Sequence, residues 1–395
     1  MRTLRRGLGA AALGVLAVIG SQVLALPAAQ ATEPDVTKDR TLRDERITES
    51  SGLAASRRTP GVVWTHNDSG NPPVLYAVGP SGATVGTARV RGVGNVDWEA
   101  LAPVTGRGGS RLLAIGDLGD NSAARSRIEI DLVPEPSTAG SSRIAPVRVL
   151  RLRYPDGPTD AEALLADPRD GRLYVVTKGL LTSTIYAVPT SAWPGAAGTP
   201  RSVTATLEPV GRVNLTLVTD GAMLPDGRIL LRTYGMLAVL APLSMTTGST
   251  GGSGSAGTPT DVPTLFPLAT MALPPQNQGE GMAVLDAGTG RLLLSSEGAH
   301  APFLRLAVPK DVWKVGATAA GTSAGGTPPP VAPGGVAGAG SGSKGMLSAA
   351  GESAGRTGDG GQAGSGAWLI TVAGAAAFAI LLLIARRTGR RSHPL

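Results

Sequence analysis

Cysteine is absent from the 395-residue chain, so neither disulfides nor thiolate metal sites can contribute, and any domain must be held by its apolar core. Lysine is scarce, five residues against 31 arginines. The apparent basicity is also an absence in disguise. Of the formal charge of +7, three charges are Arg2, Arg5 and Arg6 at the start and four are Arg386, Arg387, Arg390 and Arg391 at the end, which leaves the remainder neutral. A pI near 10.1 therefore reports topology and gives no support for nucleic-acid binding.

The ends of the chain are informative. Three arginines, the run LGAAALGVLAVIG and the small residues AQA read as a secretory signal peptide over residues 1–31. Residues 367–385 are 19 uncharged, mostly apolar residues, close to the roughly 20 that cross a bilayer as a helix. The arginines that follow place the tail, 386–395, in the cytoplasm by the positive-inside rule. No Leu-Pro-x-Thr-Gly type sorting signal precedes them, so retention in the membrane is expected. Residues 316–366 are almost entirely Gly, Ala, Ser, Thr and Pro, a flexible linker of about 50 residues reaching on the order of 40 Å. This organisation predicts a single-pass cell-membrane protein with an extracellular domain over residues 32–315.

That domain reads as strands throughout, with five similar units. Each has a polar or acidic residue, a Gly or Ala, an apolar strand, a turn, a second apolar strand ending in polar residues, and a third strand. The units start at Ser51, Glu99, Glu162, Asp220 and Glu280, spaced by 48, 63, 58 and 60 residues. A fourth strand fits between units at TVGTARV, VRVLRLRY, VTATLEPV with RVNLTL, and LFPLATMAL. Four-stranded units of this length arranged radially define an all-β β-propeller, with five blades predicted and six the alternative because 191–217 has room for more strands. Pairing residues 40–47 (RTLRDERI) with FLRLAVP closes the ring. With the C-terminal helix, this completes the predicted architecture.

In a propeller the innermost strands line a central channel, and residues just before them meet at one mouth. Glu99, Glu162, Asp220 and Glu280 fall there with Ser51. Two residues earlier lie Glu49, Asp97, Asp160 and Gln278. The second strands end at the same mouth with Asn67 and Asp68, Asp117, Asp120 and Asn121, Lys178, Arg232 and Glu297. So many carboxylates cannot all remain ionised and unpaired. One reading makes Asp97, Glu99, Asp117, Asp160, Glu162, Asp220 and Glu280 ligands of a divalent cation, with Asn67, Lys178, Arg232 and Glu297 holding a polar ligand. Oxygen donors favour Ca²⁺ or Mg²⁺, and His66 is the single nearby nitrogen. The other reading makes the acids caps for backbone N–H groups and partners for Lys178, Arg232 and Arg91. His66 beside Asp68 is the candidate catalytic pair, His66 as general base. Two G-x-S-x-G matches, 321–325 and 351–355, lie in the linker, where no strand-turn-helix strains the serine. Trp64 and Trp98 are expected to pack between blades.

The motifs SSGLA, THNDSG, DWE, GDLGDN and DAEAL, between Glu49 and Pro309, resemble those of secreted actinobacterial β-propeller proteins. The low-lysine, Ala/Gly/Pro-rich composition is that of a GC-rich genome. The layout is distantly similar to phytase-like and esterase-like propellers. That resemblance implies Ca²⁺ in the acidic mouth, at Asp97, Glu99, Asp117, Asp160, Glu162 and Glu280, and hydrolysis of phosphate esters. No phytase motif matches residue by residue. Three functions follow as expectations: a membrane-anchored propeller binding a cation and a small polar ligand or cell-wall polymer, a Ca²⁺-dependent phosphoesterase or other hydrolase using the same carboxylates, or a protein-interaction scaffold without chemistry.

Overall fold

The computed structural model describes residues 34–192, 202–243 and 262–317. The leader, the linker beyond residue 317, the segment 367–385, the tail, both G-x-S-x-G matches and most of the Gly/Ser-rich insertion after residue 243 lie outside the described residues. Among the described residues no helix is long and apolar enough to cross a membrane.

The strands are β1 (Asp35–Thr41), β2 (Ser50–Ala55), β3 (Val63–Asn67), β4 (Val74–Val78), β5 (Thr84–Val90), β6 (Trp98–Thr105), β7 (Arg111–Asp117), β8 (Ile128–Pro134), β9 (Gly140–Ile144), β10 (Arg148–Arg153), β11 (Ala161–Ala166) and β12 (Leu173–Thr177). They continue with β13 (Ser183–Ala187), β14 (Ser202–Thr206), β15 (Glu208–Val213), β16 (Val218–Met223), β17 (Ile229–Thr233), β18 (Met236–Leu240), β19 (Thr264–Leu265), β20 (Ala269–Ala272), β21 (Met282–Asp286), β22 (Arg291–Leu294) and β23 (Pro302–Ala307). They form five separate sheets, the five blades of a propeller. The innermost strands β2, β6, β11, β16 and β21 touch in that cyclic order around the axis.

Small residues make that crowding feasible. A Cβ on Gly281 would lie 2.2 Å from the Ser51 carbonyl oxygen, and one on Gly52 2.6 Å from the Leu101 nitrogen. The core is not central but divided into five apolar layers, one between each pair of neighbouring blades. Leu173 and Val175 face one layer, and Tyr174 and Val176 the next. Strands buried on both faces read as continuous apolar runs rather than alternating ones. Trp64 and Trp98 pack together in the layer between blades 1 and 2.

Two features differ from the sequence expectation. The ring is closed by β1 on β23, Asp35↔Ala307 to Thr41↔Pro302, so the closing strand begins five residues earlier than RTLRDERI. Beyond Thr41 the chain cannot continue as a strand, because Asp44 folds a turn by accepting from the Arg46 backbone N–H, while Leu42 and Ile47 enter the layer between blades 5 and 1. Three blades also have five strands. The connection after the third strand swings back to the preceding blade and adds a parallel strand: β9 on β5, β14 on β10 and β19 on β15. VTATLEPV is therefore divided at Leu207 between blades 2 and 3, and LFPLATMAL between blades 3 and 4. After β23 the short helix α1 (Lys310–Trp313) makes the same return, its Trp313 packing in the layer between blades 4 and 5 while Arg228 donates to the Val315 carbonyl at 3.0 Å.

Candidate functional site at the channel mouth

A bulge opens the innermost strands at the mouth. The ladder skips Glu99 between Trp98 and Ala100, Glu162 between Ala161 and Ala163, and Thr219 between Val218 and Asp220. Bulges re-aim side chains, here toward the axis. The blade 4 counterpart of Glu99 and Glu162 is thus Thr219, one residue before the acid that the sequence repeat aligns. Ser51 and Thr219 behave alike: Ser51 Oγ donates to the Glu99 carbonyl at 2.8 Å, and Thr219 Oγ1 donates to the Gly279 and Glu280 carbonyls at 3.1 and 3.3 Å. Asp220, displaced by one, accepts from the Gly221 and Met282 backbone N–H groups at 2.7 and 2.6 Å. Burial raises its pKa to about 8, those bonds and Arg232 lowering it against the burial.

A residue just after the second strand also repeats. Asp68, Leu118, Lys178 and Glu297 each donate a backbone N–H to the carbonyl of a residue shortly before the innermost strand of the same blade: Glu49, Asp97, Asp160 and Gln278. Tyr234 follows β17 as Lys178 follows β12. In blade 3 the Lys178 Nζ donates to Glu162 Oε1 and lies 5.3 Å from the centroid of the Tyr234 ring. Burial disfavours the Lys178 charge, but the surrounding Glu162 and Glu280 carboxylates outweigh it and raise its pKa. In blade 2 Leu118 takes that position and turns into the core, leaving Glu99 without a lysine of its own.

Glu99 instead joins Asp68 and Asp97. One ligand oxygen from each lies within 4.8 Å of the other two. Glu99 is 4 % exposed, and its Oε1 has no hydrogen-bond partner. Burial is the chief reason its pKa is raised, with Asp68, Glu162 and Asp97 adding to the rise. Gly119 backs the cluster: a Cβ there would be 2.4 Å from Asp97 Oδ2 and 2.6 Å from Glu99 Oε1. The two oxygens converge beside a residue that leaves the space open.

The remaining candidates are held within the mouth's framework. Asn67 Oδ1 accepts from the Thr48 and Glu49 N–H groups, both at 3.1 Å, and its Nδ2 donates to the Arg46 carbonyl at 2.6 Å. Asp117 accepts from the Val96 and Asp97 N–H groups and pairs with Arg125 at 2.7 Å. Asp160 accepts from the Asp120 N–H at 2.8 Å, joining blades 2 and 3. Glu297 accepts from Gln278 Nε2 at 2.8 Å. Arg232 is fully buried; it donates to the Gly281 and Ser295 carbonyls and, at 2.7 Å, to Gln276 Oε1, tying blade 4 to blade 5. Its pKa is lowered to about 10 by burial. Buried Glu280 favours the charged forms of both Lys178 and Arg232, against the burial of each. His66 is buried, with its ring edge-on to Trp98 at 5.4 Å and Nδ1 3.1 Å from the Asn67 carbonyl. Burial lowers its pKa. Tyr234, Gly119, Gln276 and Thr219 were not singled out by sequence. The only available signal was that Tyr234 and Gly119 follow the polar ends of second strands.

No protein-family model matches this chain, and no curated protein matches it. Among solved structures it is similar to a gluconolactonase of Xanthomonas campestris, with 11 % identity over 71 % of this chain and 92 % of that one and a TM-score of 0.38. It is also similar to a luciferin-regenerating enzyme, with 11 % identity over 70 % and 95 % and a TM-score of 0.37. A third likeness is an auxiliary nutrient binding protein of Bacteroides thetaiotaomicron, with 9 % identity over 69 % and 76 % and a TM-score of 0.36. Such distant likenesses carry no argument; the propeller rests on the chain's own strand order.

Proposed function

We propose that this protein is a membrane-anchored extracellular propeller that binds Ca²⁺ through Asp68, Asp97 and Glu99 and takes a polar ligand at the same mouth. The observation that carries this reading is the convergence of three carboxylates on one point, one of whose oxygens, Glu99 Oε1, is buried without a protein partner. A buried carboxylate is stable only when paired, protonated or on a metal. The donors are all oxygen, as hard cations require, and a mixed set of one half-buried and two buried carboxylates suits the flexible shell of Ca²⁺ better than strict octahedral geometry. Binding is favoured over hydrolysis because His66, the one candidate base, is fully enclosed and out of reach of a substrate. The leader, the linker and the apolar segment in the sequence support anchoring at the cell surface.

Thermal unfolding of the intact protein in detergent, in EDTA and then in Ca²⁺, tests the cation site. At a Ca²⁺ concentration a hundredfold above its dissociation constant the native state gains about 2.7 kcal/mol, and the midpoint rises accordingly. Glu99→Gln removes that rise. An unchanged midpoint for the wild-type protein, with no heat of binding in calorimetry, would reject the site.

A further inference from the structure

The loop that follows the second strand is longest in blade 2. It runs over ten residues, 118–127, against six, five, two and seven in blades 1, 3, 4 and 5. A loop of that length keeps one shape only through bonds of its own. Its shape matters here, because it carries Gly119, beside which Asp97 Oδ2 and Glu99 Oε1 converge. Arg125 supplies the bonds.

The Arg125 guanidinium spans the two arms of the loop's first turn. Its Nη2 pairs with Asp117 Oδ1 at 2.7 Å, and its Nη1 donates to the Gly119 carbonyl at 2.8 Å. Both arms end on Asp97. Asp117 accepts from the Val96 and Asp97 N–H groups, each at 3.1 Å, while the Leu118 and Gly119 N–H groups donate to the Asp97 carbonyl at 3.1 and 3.2 Å. The backbone of Asp97 is thus clasped on its N–H side through Asp117 and on its carbonyl side through residues 118–119, and one planar fork joins the two. Arg125 is itself held from behind. Asp120 accepts from the Ala124 and Arg125 N–H groups at 2.9 and 2.8 Å, and the Asp120 N–H donates to Asp160 Oδ1 of blade 3 at 2.8 Å.

By charge alone Arg125 is misplaced, because a cation one residue removed from a Ca²⁺ ligand repels Ca²⁺. Its contribution is therefore geometric. We infer that Arg125 is the positioning residue of the cation site: it gives buried Asp117 its countercharge and holds Asp97 and Gly119 in the register that brings Asp97 to Asp68 and Glu99. The inference rests on the cation reading above and gives Arg125 no contact with the ion. Groups that orient a metal's ligands in this way typically contribute about 10–100-fold to its affinity.

The test loads the intact protein in detergent with Eu³⁺, an oxygen-binding stand-in for Ca²⁺ whose luminescence lifetimes in H₂O and D₂O count the waters bound to it; displacement by Ca²⁺ gives the Ca²⁺ affinity. Arg125→Met is expected to weaken Ca²⁺ binding by about 10–100-fold. It should also add about one water to bound Eu³⁺, as Asp97 swings away and solvent takes its position. Arg125→Met with Asp117→Asn leaves no buried charge unpaired, so it keeps the fold if Arg125→Met alone does not, and the same two changes are expected. In an Asp97→Ala background Arg125→Met should weaken binding no further and add no water, since residues that act through one another are not additive. Ca²⁺ binding that tightens or stays the same in Arg125→Met would overturn the proposal, because that is the outcome of charge alone. So would weakening with an unchanged water count, or a full second loss in the Asp97→Ala background, since either makes Arg125 a support of the fold only. A wild-type protein that binds neither Eu³⁺ nor Ca²⁺ would reject the cation site itself, and the role of Arg125 with it.

Discussion

Glu99 and Glu162 occupy the same bulge in neighbouring blades, both buried, both with pKa values raised by burial first of all. They differ by one residue elsewhere. The position after the second strand is Leu118 in blade 2 and Lys178 in blade 3, so Glu162 receives an internal cation and Glu99 does not. A lysine closes one half of the mouth as a structural ion pair. Its replacement by leucine leaves the other half with three carboxylates, the proposed cation site. Identical backbone geometry thus yields a strut in one blade and a candidate site in the next.

The largest effect should come from removing the strut. Lys178→Met leaves Glu162 buried without its cation, a change that typically costs about 3–5 kcal/mol. Chemical denaturation should show this as a lower midpoint with an unchanged slope. Adding Glu162→Gln to Lys178→Met should recover most of it. A Lys178→Met protein as stable as wild type would mean that the two glutamates are not distinguished by this pair at all.

Next is Gly119→Ala, which acts only on the blade 2 side. The added methyl would sit within 2.4 Å of Asp97 Oδ2, so the carboxylates must part or the loop must shift. Overpacking of this kind costs roughly 1–3 kcal/mol. Calorimetry should show Ca²⁺ affinity falling at least tenfold, whereas Gly235→Ala, in open space in blade 4, should leave it unaltered. Retained affinity in Gly119→Ala would place the cation elsewhere.

How much of this was legible before the structure divides along physical lines. The five repeat starts, the Gly or Ala after each and the continuous apolar second strands are short-range signals, and they carry the blade number. The parallel pairings of β9, β14 and β19 were not legible: VTAT and the start of LFPLATMAL read as strand but as part of the following fourth strand, and GSSRI has too little apolar content to read as strand at all, each being held by the edge of the preceding blade. The acids showed where the mouth lies but not their separate duties. Asn67 and Asp117 are turn caps because both stand opposite the backbone N–H groups just before the neighbouring innermost strand, and Asp220 stands one residue out of register with Glu99. A side chain's partner is decided by the pairing ladder, which a repeat alignment without coordinates cannot number at a bulge.

Glu99→Gln sharpens the comparison by a smaller amount. In EDTA it removes a carboxylate that has no lysine, so stability should be unchanged or higher by about 1 kcal/mol, the opposite sign to Lys178→Met. A loss of several kcal/mol in EDTA would show that Glu99 is a strut as well.

The smallest effect is that of pH on the cation-free protein. Glu99 and Asp220 both have raised folded-state pKa values, that of Asp220 from 3.8 to about 8. Asp131, buried between strands of blade 2, is likewise raised to about 8 by burial and the nearby Glu129 and Asp117 carboxylates. Between the unfolded and folded values the native state binds more protons than the unfolded chain, so these groups support stability below about pH 4 and lose that contribution as pH rises toward 8. The midpoint in EDTA should therefore drift downward across this range, and Asp131→Asn should flatten part of the drift without touching Ca²⁺ binding. The raised pKa of Glu99 means that Ca²⁺ competes with its proton, so affinity should rise with pH and binding should release protons into the buffer. Calorimetry in buffers of different ionisation enthalpy reads that release directly. Proton release that persists in Glu99→Gln would assign it to blade 3 and erase the distinction between the two glutamates.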